Sequence, residues 1–393
     1  MHIRTSDTFF SYQIIRQSSY IPQGAGDFGE ILQVTKQIKK GNLESWISCW
    51  SQKAEEIEQL AWQSLHNKDL ISARRAFQRA SSYYWLAEFF VMPRNSSNER
   101  LITLYKKSVA AFREALKLWH TPVEMVSIPY EGTTLSAYFF KPNDDDNTPK
   151  PTLLCMGGFD STLEGEVPYI LGMDAVKRGY NVLAFEGPGQ GAPLRLLNLP
   201  SRYDYEVPVR AAVDYVCSRT DVDTSKLVLL GNSFGGYYAA RAACFEHRLA
   251  ALVINGALYD AFVAIPTPLK IMSEGLRNYV AGIVQTLLPQ ANWGIGQNMW
   301  VMGAQTPHDA LEVMQDFHLQ GIAHQIKCPL LIMHGENAPL IPVKQAQILY
   351  NTVGSRDKKL HTFKGSAGLH CQVGNMEVVS PVVFPWLKEV LHL

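Results

Sequence analysis

The sequence predicts an α/β fold: a doubly wound, mostly parallel sheet with an inserted helical cap and an N-terminal helical domain. Three observations lead to this prediction. Apolar residues recur with helical spacing from about residue 43 to residue 119. After Pro122 the pattern changes to short apolar runs that alternate with helix-like segments. Two of these runs, ending at 255 and beginning at 329, are too far apart for a simple crossover helix.

We therefore expect an N-terminal helical domain over residues 1–120 and a sheet domain over 121–393, with the cap inserted at about 259–326. Helices are predicted over residues 44–66, 69–90, 98–119, 166–178, 207–219, 237–245, 272–288, 309–319 and 344–351. Strands are predicted as a hairpin over 123–129 and 134–140, then near 152–156, 181–185, 226–230, 251–255, 329–333 and 359–363.

The composition is that of a folded protein without the marks of a nucleic-acid or membrane partner. Hydrophobic residues make up 47% of the chain and charged residues 18%, and the formal net charge is zero. No apolar run reaches the roughly 18 residues that a membrane-spanning helix needs. The first 20 residues lack the apolar core of a secretion signal, and the six cysteines are scattered without metal-site spacing. We expect a cytoplasmic protein.

The segment Gly231-Asn232-Ser233-Phe234-Gly235 matches the pattern G-x-S-x-G. It follows a buried strand and precedes a helix, which is the context in which this pattern forms a nucleophile elbow. The serine then lies on a sharp, strained turn that projects its hydroxyl above the sheet. A Cβ atom on Gly231 or Gly235 would collide with the neighbouring strand and helix. The pattern predicts Ser233 as a nucleophile; the alternative is an ordinary turn of small residues.

His370 is predicted to be the general base for Ser233. It lies in a loop of small residues after the last strand, where a histidine can reach a nucleophile at the edge of the sheet. The backbone N–H of Phe234, with that of Gly158 or Phe159 after an earlier strand, would form an oxyanion hole. The alternative for the Gly-Gly segment is a plain turn.

The position of the expected third residue is occupied by alanine. The segment 329–342 has the strand-and-turn form in which an aspartate normally stands where Ala338 does here. Loss of that acid in a serine protease lowers the rate by ~10⁴-fold. Three interpretations are open: an Asp→Ala change made to trap a complex, which we favour; a carboxylate supplied by Glu336 or Asp260; or a natural non-enzyme.

Four segments together resemble one branch of the α/β-hydrolases: residues 157–162, 185–191, 231–236 and 370–372. This branch contains 2,6-dihydroxypseudooxynicotine hydrolase and the fungal yellowish-green polyketide-shortening hydrolases, and bacterial polyketide-trimming hydrolases of anthraquinone pathways are similar. The likeness extends over most of the chain, because members also carry an N-terminal helical domain. The turn within 185–191 lacks the spacing of a phosphate loop and is expected to shape the floor of the site.

The resemblance implies hydrolysis of a carbon–carbon bond next to a ketone, as in β-diketones and polyketides. It implies that Ser233 is the nucleophile, His370 the base and position 338 the site of the acid. Asp160 matches an acidic residue implicated in the nicotine-pathway member; the alternative is that it caps a helix or braces the turn. The expected partner is a small aromatic or polyketide substrate, delivered free or by a carrier protein, and no metal or organic cofactor is needed. An esterase or thioesterase would use the same triad, and a catalytically dead binding protein is the third possibility.

Large side chains of the predicted cap would line an apolar pocket for a flat substrate. The candidates are Trp293, Trp300, Phe317 and Met302, with packing inside the cap as the alternative. The long amphipathic helices near the N-terminus favour a homodimer.

Overall fold

The computed structural model describes residues 7–143, 146, 148–265, 267–339 and 341–393. It divides into two compact units. The first comprises Met1–His120 and Gly275–Trp300, and the second comprises Thr121–Glu274 and Val301–Leu393. Part of the predicted insertion, 275–300, thus belongs with the N-terminal helices.

The first unit is helical. Its helices are α1 (Thr8–Ser18), α2 (Phe28–Thr35), α3 (Leu43–His66), α4 (Leu70–Phe89), α5 (Glu99–Lys117), nearly all of α11 (Glu274–Leu287) and most of α12 (Pro289–Met302). Asp69 caps α4 by accepting a hydrogen bond from Ser72 N at 3.0 Å, which confirms the start predicted there. Asp27 caps α2 in the same way, in a region where the helical pattern of the sequence is weak.

The core of this unit is aromatic. Trp46 Nε1 donates to the carbonyl oxygen of Leu86 at 2.7 Å, and the ring of Trp293 stacks on Phe89 with centroids 4.7 Å apart. A buried ion pair joins Arg94 Nη1 to Glu88 Oε1 at 3.0 Å. Arg94 Nε also donates to Gln297 Oε1 of α12 at 2.8 Å, so this helix is held by apolar packing and by a polar contact.

The second unit contains the sheet. Its strands are β1 (Val123–Tyr130), β2 (Thr133–Phe140), β3 (Lys150–Met156), β4 (Asn181–Phe185), β5 (Val222–Asn232), β6 (Ala251–Asn255), β7 (Leu330–Gly335) and β8 (Lys358–Phe363). Its helices are α6 (Met173–Val176), α7 (Gly191–Leu197), α8 (Glu206–Cys217), α9 (Gly235–Ala243), α10 (Thr267–Ile271), α13 (Pro307–Met314), α14 (Val343–Thr352) and α15 (Ser380–Val390).

The strands pair in the order β1-β2-β4-β3-β5-β6-β7-β8. The pairs β1–β2 and β2–β4 are antiparallel, and the pairs from β4 to β8 are parallel. This confirms the mostly parallel, doubly wound sheet. Because β3 lies between β4 and β5, the direction of winding reverses beside it, and the carboxyl ends of the strands there leave a crevice.

Two local differences from the sequence prediction have physical causes. The helix expected over 166–178 is a π-helical turn, Pro168–Gly172, followed by the short α6. Pro168 and Gly172 disfavour a continuous α-helix at this point. Strand β5 begins earlier than predicted, at Val222, because Val222 pairs with Lys150 across a shift in register. None of the helices in the described part of the chain is long and apolar enough to cross a membrane.

Candidate functional site

Ser233 occupies the turn between β5 and α9. Its φ of 61° lies in the left-handed region, which is strained for a residue with a side chain. Its backbone N–H donates to the carbonyl oxygen of Asn255 at 2.7 Å. A Cβ atom on Gly231 would overlap the carbonyl of Gly235, and one on Gly235 would overlap the carbonyl of Gly157. The turn thus has the close approaches that the G-x-S-x-G pattern predicted.

His370 lies beside Ser233. It follows β8, it is buried, and its Nε2 atom is 2.8 Å from Ser233 Oγ. The next residue, Cys371, has a φ of 52°, and its sulfur lies 3.5 Å from the same Nε2. The thiol also donates to the carbonyl oxygen of Asn255 at 3.5 Å. One carbonyl therefore contacts both the nucleophile turn and the loop of the base.

The loop after β3 packs directly against the serine. A Cβ atom on Gly158 would lie 2.8 Å from Ser233 Cβ and 3.0 Å from its Oγ, so a side chain has no room there. The rings of Phe159 and Phe234 pack with centroids 5.4 Å apart. No described residue accepts a hydrogen bond from the backbone N–H of Gly158, Phe159 or Phe234. The predicted oxyanion donors are free to bind a substrate oxygen.

Glu186, at the start of the turn after β4, connects this turn to the segment that follows β3. Its side chain is buried, and its two oxygens accept from Leu163 N at 3.0 Å and from Ala192 N at 2.7 Å. Burial, with a smaller contribution from the nearby Glu164 carboxylate, raises the pKa of Glu186 above its usual value of 4.5. The guanidinium of Arg195 acts in the opposite direction.

Ala338 lies in the loop after β7 and is half-buried. This loop is joined to the end of β8 and to the loop that carries the base. Glu336 N donates to the carbonyl of Phe363 at 2.9 Å, and Asn337 N donates to that of Gly368 at 2.8 Å. Position 338 therefore directly follows Asn337, whose N–H bonds to a carbonyl two positions before His370. The methyl group of Ala338 cannot accept a hydrogen bond.

The two other candidate acids have local hydrogen bonds. Glu336 is exposed, and its Oε1 accepts from Gly365 N at 3.1 Å. Asp260 accepts from Phe262 N at 2.8 Å and so caps a short 3-10 turn, Ala261–Ala264. These contacts describe structural roles for both carboxylates.

His334 has the contacts of a structural residue. It is buried in β7, and its Nε2 lies 2.9 Å from the carbonyl oxygen of Ile341. Burial lowers the pKa of His334, which favours the neutral imidazole.

Asp160 directly follows Phe159 in the loop after β3, and its side chain is half-buried. Phe317 packs against the nucleophile turn, with its ring centroid 5.7 Å from that of Phe234 and 5.5 Å from that of Tyr237. A catalytic role for Asp160 stays a prediction.

The other predicted pocket residues are buried and lie near the middle of the insertion. Trp293 packs in the aromatic core of the first unit, and the guanidinium of Arg94 lies 4.9 Å from the ring centroid of Trp300. Met302 is buried in the second unit. The contacts of the two tryptophans are those of core residues, and a role in substrate binding stays a prediction.

Sequence reasoning missed two residues of this region. Asn255 was recognised only as the end of a strand, and Gln190 only as part of a turn that shapes the floor. Asn255 contacts the site with its own backbone carbonyl, and the side chain of Gln190 bonds to backbone carbonyls of the loop after β3. Hydrogen bonds to backbone carbonyls leave no spacing pattern in a sequence. Among the described residues, no group of three or more His, Cys, Asp or Glu side chains is arranged to hold a metal ion.

The sheet topology and the serine turn define an α/β-hydrolase fold. A sequence profile of the family described as serine aminopeptidase, S33, matches residues 170–371, about half of the chain. The chain belongs to this family.

Relatives match over the full length. The 20-hydroxy-prefusarin hydrolase FUS2 of Gibberella moniliformis is 32% identical over 417 residues, covering 100% of this chain and 99% of the relative. The hydrolyase poxO of Penicillium oxalicum is 33% identical over 422 residues, covering 100% of both. The crystal structure of 2,6-dihydroxy-pseudo-oxynicotine hydrolase has a TM-score of 0.76 at 21% identity and covers 95% of each chain, which shows a shared fold. The two sequence relatives are fungal, so the likeness to bacterial pathway enzymes stays a prediction.

Proposed function

We propose that this protein is a serine hydrolase that cleaves a carbon–carbon bond next to a ketone in an aromatic or polyketide substrate. The observation that carries the proposal is the 2.8 Å approach of Ser233 Oγ to His370 Nε2 on a left-handed turn. A nucleophile and a base within hydrogen-bond distance, next to unused backbone N–H groups, are the parts that acyl transfer requires.

In the first half of the reaction, Ser233 Oγ gives its proton to His370 Nε2 and adds to the ketone carbon. The ketone oxygen becomes an alkoxide, which accepts hydrogen bonds from the N–H groups of Phe234 and of Gly158 or Phe159. The tetrahedral species collapses when the carbon–carbon bond breaks. The departing carbanion is delocalised as an enolate by a neighbouring carbonyl or phenol ring, and it takes up the proton that His370 received from Ser233, directly or through Asp160.

In the second half, water attacks the acyl group on Ser233. His370 takes a proton from the water, and the second tetrahedral species releases a carboxylic acid while Ser233 regains its proton. Each step is a proton transfer or an acyl transfer, so the sequence balances without an oxidant or a reductant. In this proposal the reaction needs only the substrate, a water molecule and the residues of this chain.

The substrate class is supported by two kinds of similarity. The motifs of the chain resemble a branch that acts on ketones flanked by activating groups. The relative FUS2 is named for hydrolysis of 20-hydroxy-prefusarin. Delivery of the substrate by a carrier protein, assembly as a homodimer and a cytoplasmic location are further expectations of the same proposal.

Ala338 limits the rate in this proposal. A carboxylate at this position would hold the imidazole of His370 in the productive tautomer and stabilise its cation during attack. The hydrogen bonds from 336 and 337 to the end of β8 and the base loop support the assignment, because they bring the segment next to the loop that carries His370.

The test restores the acid. We expect Ala338→Asp to raise the hydrolysis of a β-diketone by ~10³–10⁴-fold. Ala338→Asn is the matched control: it has the same shape without the charge, and a rise with both variants would contradict the proposed role of the carboxylate. Ser233→Ala, placed in the Ala338→Asp background, should remove the gained activity.

An aryl ester assayed beside the diketone separates the alternatives. Turnover of the ester alone by Ala338→Asp would identify an esterase and contradict the carbon–carbon cleavage. Absence of turnover of both, together with unchanged ligand affinity in Ser233→Ala, would identify a binding protein on a hydrolase fold.

A further inference from the structure

Gln190 immediately precedes α7, and its side chain is buried. Each hydrogen bond of its amide group is made with a backbone group or with a buried side chain. Gln190 is 1% exposed. Its Nε2 donates to the carbonyl oxygen of Gly157 at 2.6 Å and to that of Gly158 at 3.2 Å. These two carbonyl groups belong to the loop that packs against Ser233.

The orientation of this amide is fixed by a donor that cannot be reversed. Gln190 Oε1 accepts from the backbone N–H of Gly187 at 3.0 Å. A backbone N–H only donates, so the oxygen must face Gly187 and the NH₂ group must face the two carbonyls. Tyr205 Oη lies 3.2 Å from the same Oε1 and can donate to it.

The two carbonyl groups control the direction of the oxyanion donors. In a planar trans peptide, the C=O and the following N–H point in opposite directions. A hydrogen bond that fixes the carbonyl of Gly158 therefore also fixes the N–H of Phe159, and one that fixes the carbonyl of Gly157 fixes the N–H of Gly158. Both amide hydrogens of Gln190 are used in this way.

We propose that Gln190 is a positioning residue that aims the second oxyanion donor at the substrate oxygen. The inference rests on the proposed function, because it gives the N–H groups of this loop a role in acyl transfer. Preorganised donors stabilise the transition state because they need no reorientation when charge develops. Gln190 supplies this preorganisation from behind the loop without touching the substrate.

The surroundings of Gln190 hold it in place. The chain on either side forms a tight turn in which Glu186 accepts from Ala192 N at 2.7 Å. Tyr205 is fully buried, and its ring stacks on Tyr238 with centroids 3.6 Å apart. The rotamer of the glutamine is thus constrained by packing as well as by its hydrogen bonds.

The experiment replaces the glutamine in the Ala338→Asp background and uses an aryl ester as the probe. Gln190→Met keeps the length of the side chain and removes both donor hydrogens. We expect kcat to fall ~10–100-fold, less than the ~10²–10³-fold cost of deleting a donor outright, with KM changed by less than ~3-fold. Gln190→Glu should fall at least as far, because a carboxylate oxygen would face two carbonyl oxygens.

Gln78→Met is the matched control. Gln78 is a fully buried glutamine of the first unit whose Nε2 donates to the carbonyl of Gln23 at 2.7 Å. Its replacement should lower the melting temperature without the fall in kcat. An aryl trifluoromethyl ketone gives a readout that a merely structural role would not move. Its tetrahedral adduct should dissociate ~10–100-fold more readily in Gln190→Met than in the parent.

The outcomes separate this inference from the proposed function. A fluorophosphonate that fails to label Ser233 in the Ala338→Asp parent would overturn the proposed serine chemistry. Labelling and ester turnover in the parent, with unchanged kcat and unchanged adduct affinity in Gln190→Met, would overturn the role of Gln190 alone. A fall in kcat of the same size in Gln78→Met would also overturn it, since the effect would then be one of stability.

Discussion

The two sides of the candidate site are built differently. On the nucleophile side, the turn at Ser233 and the loop after β3 are fixed by glycine contacts, backbone hydrogen bonds and the buried amide of Gln190. On the acid side, the loop after β7 carries an exposed glutamate at 336 and an alanine at 338.

The two sides of the site differ in how far their proposed function depends on a single side chain. Backbone donors held by close packing do not depend on any one side chain that contacts the substrate, whereas orientation of the base depends on a single carboxylate. In the proposed mechanism, a chain with Ala338 keeps the proposed oxyanion donors and lacks the carboxylate that would orient His370.

Among substitutions in the loop after β3 and in the residues that support it, the largest effect is expected at Gly158. Gly158→Ala would put a methyl group 2.8 Å from Ser233 Cβ, so the oxyanion loop must move away from the serine. In the Ala338→Asp background we expect ester hydrolysis to fall by ~10²–10³-fold, the cost of losing an oxyanion donor. Gly172→Ala is the control, because its new methyl would meet Val182 at an ordinary 3.4 Å. Equal rates in the two variants would show that the loop does not serve the serine.

A smaller effect, on stability, is expected at Glu186. Its raised pKa means that the folded state keeps a proton after the unfolded state has lost it. The stability that this proton provides is fully present below the ordinary pKa of 4.5, and it is lost as the pH rises through the raised value. Glu186→Gln cannot titrate, and its NH₂ group would face a backbone donor, so we expect it to be less stable than the unmodified chain.

The measurement is chemical denaturation of both proteins between ~pH 5 and ~pH 8. The difference in free energy of unfolding should narrow by at least about 1 kcal/mol as the pH rises, since one pKa unit corresponds to 1.36 kcal/mol. A difference that stays constant with pH would show that Glu186 is ionised throughout, and that the hydrogen bonds from Ala192 N and Leu163 N together with Arg195 outweigh burial and Glu164.

The smallest effect is expected at Glu336. Its carboxylate is exposed and bonded to Gly365 N, so Glu336→Gln should leave ester hydrolysis within ~2-fold of its parent. The assay is run on the unmodified chain and on Ala338→Asp. Loss of turnover in the unmodified background would show that Glu336 supplies the acid and would remove the reason for assigning it to position 338.

The sequence predicted the sheet because its strands are buried runs, and a run such as 226–230 has few alternatives. It predicted the serine turn because only glycine fits at 231 and 235. The tight hairpin was also predictable, because the pair Glu131-Gly132 between two alternating runs is typical of a hairpin turn. Both residues adopt positive φ in the structure. These features depend on neighbours in the chain or on the identity of single residues.

The rest depends on tertiary contacts. Helix α12 contains two glycines and gave little helical signal, yet it forms where Trp293 stacks on Phe89. Helices α1 and α2 lie in a region of weak pattern, where caps such as Asp27 define the ends. The role of Gln190 needs two carbonyl groups more than thirty residues away, and only the folded chain brings them together.

The central claim, that Ser233 is the nucleophile and His370 its base, is tested most directly by mass spectrometry of peptides after incubation with an aromatic β-diketone. Cys371 is the rival nucleophile, because its sulfur also lies 3.5 Å from His370 Nε2. We predict an acyl group on Ser233 in the unmodified chain and in Cys371→Ala, and none in Ser233→Ala or His370→Ala. An acyl group on Cys371, or diketone cleavage that persists in Ser233→Ala, would contradict the account.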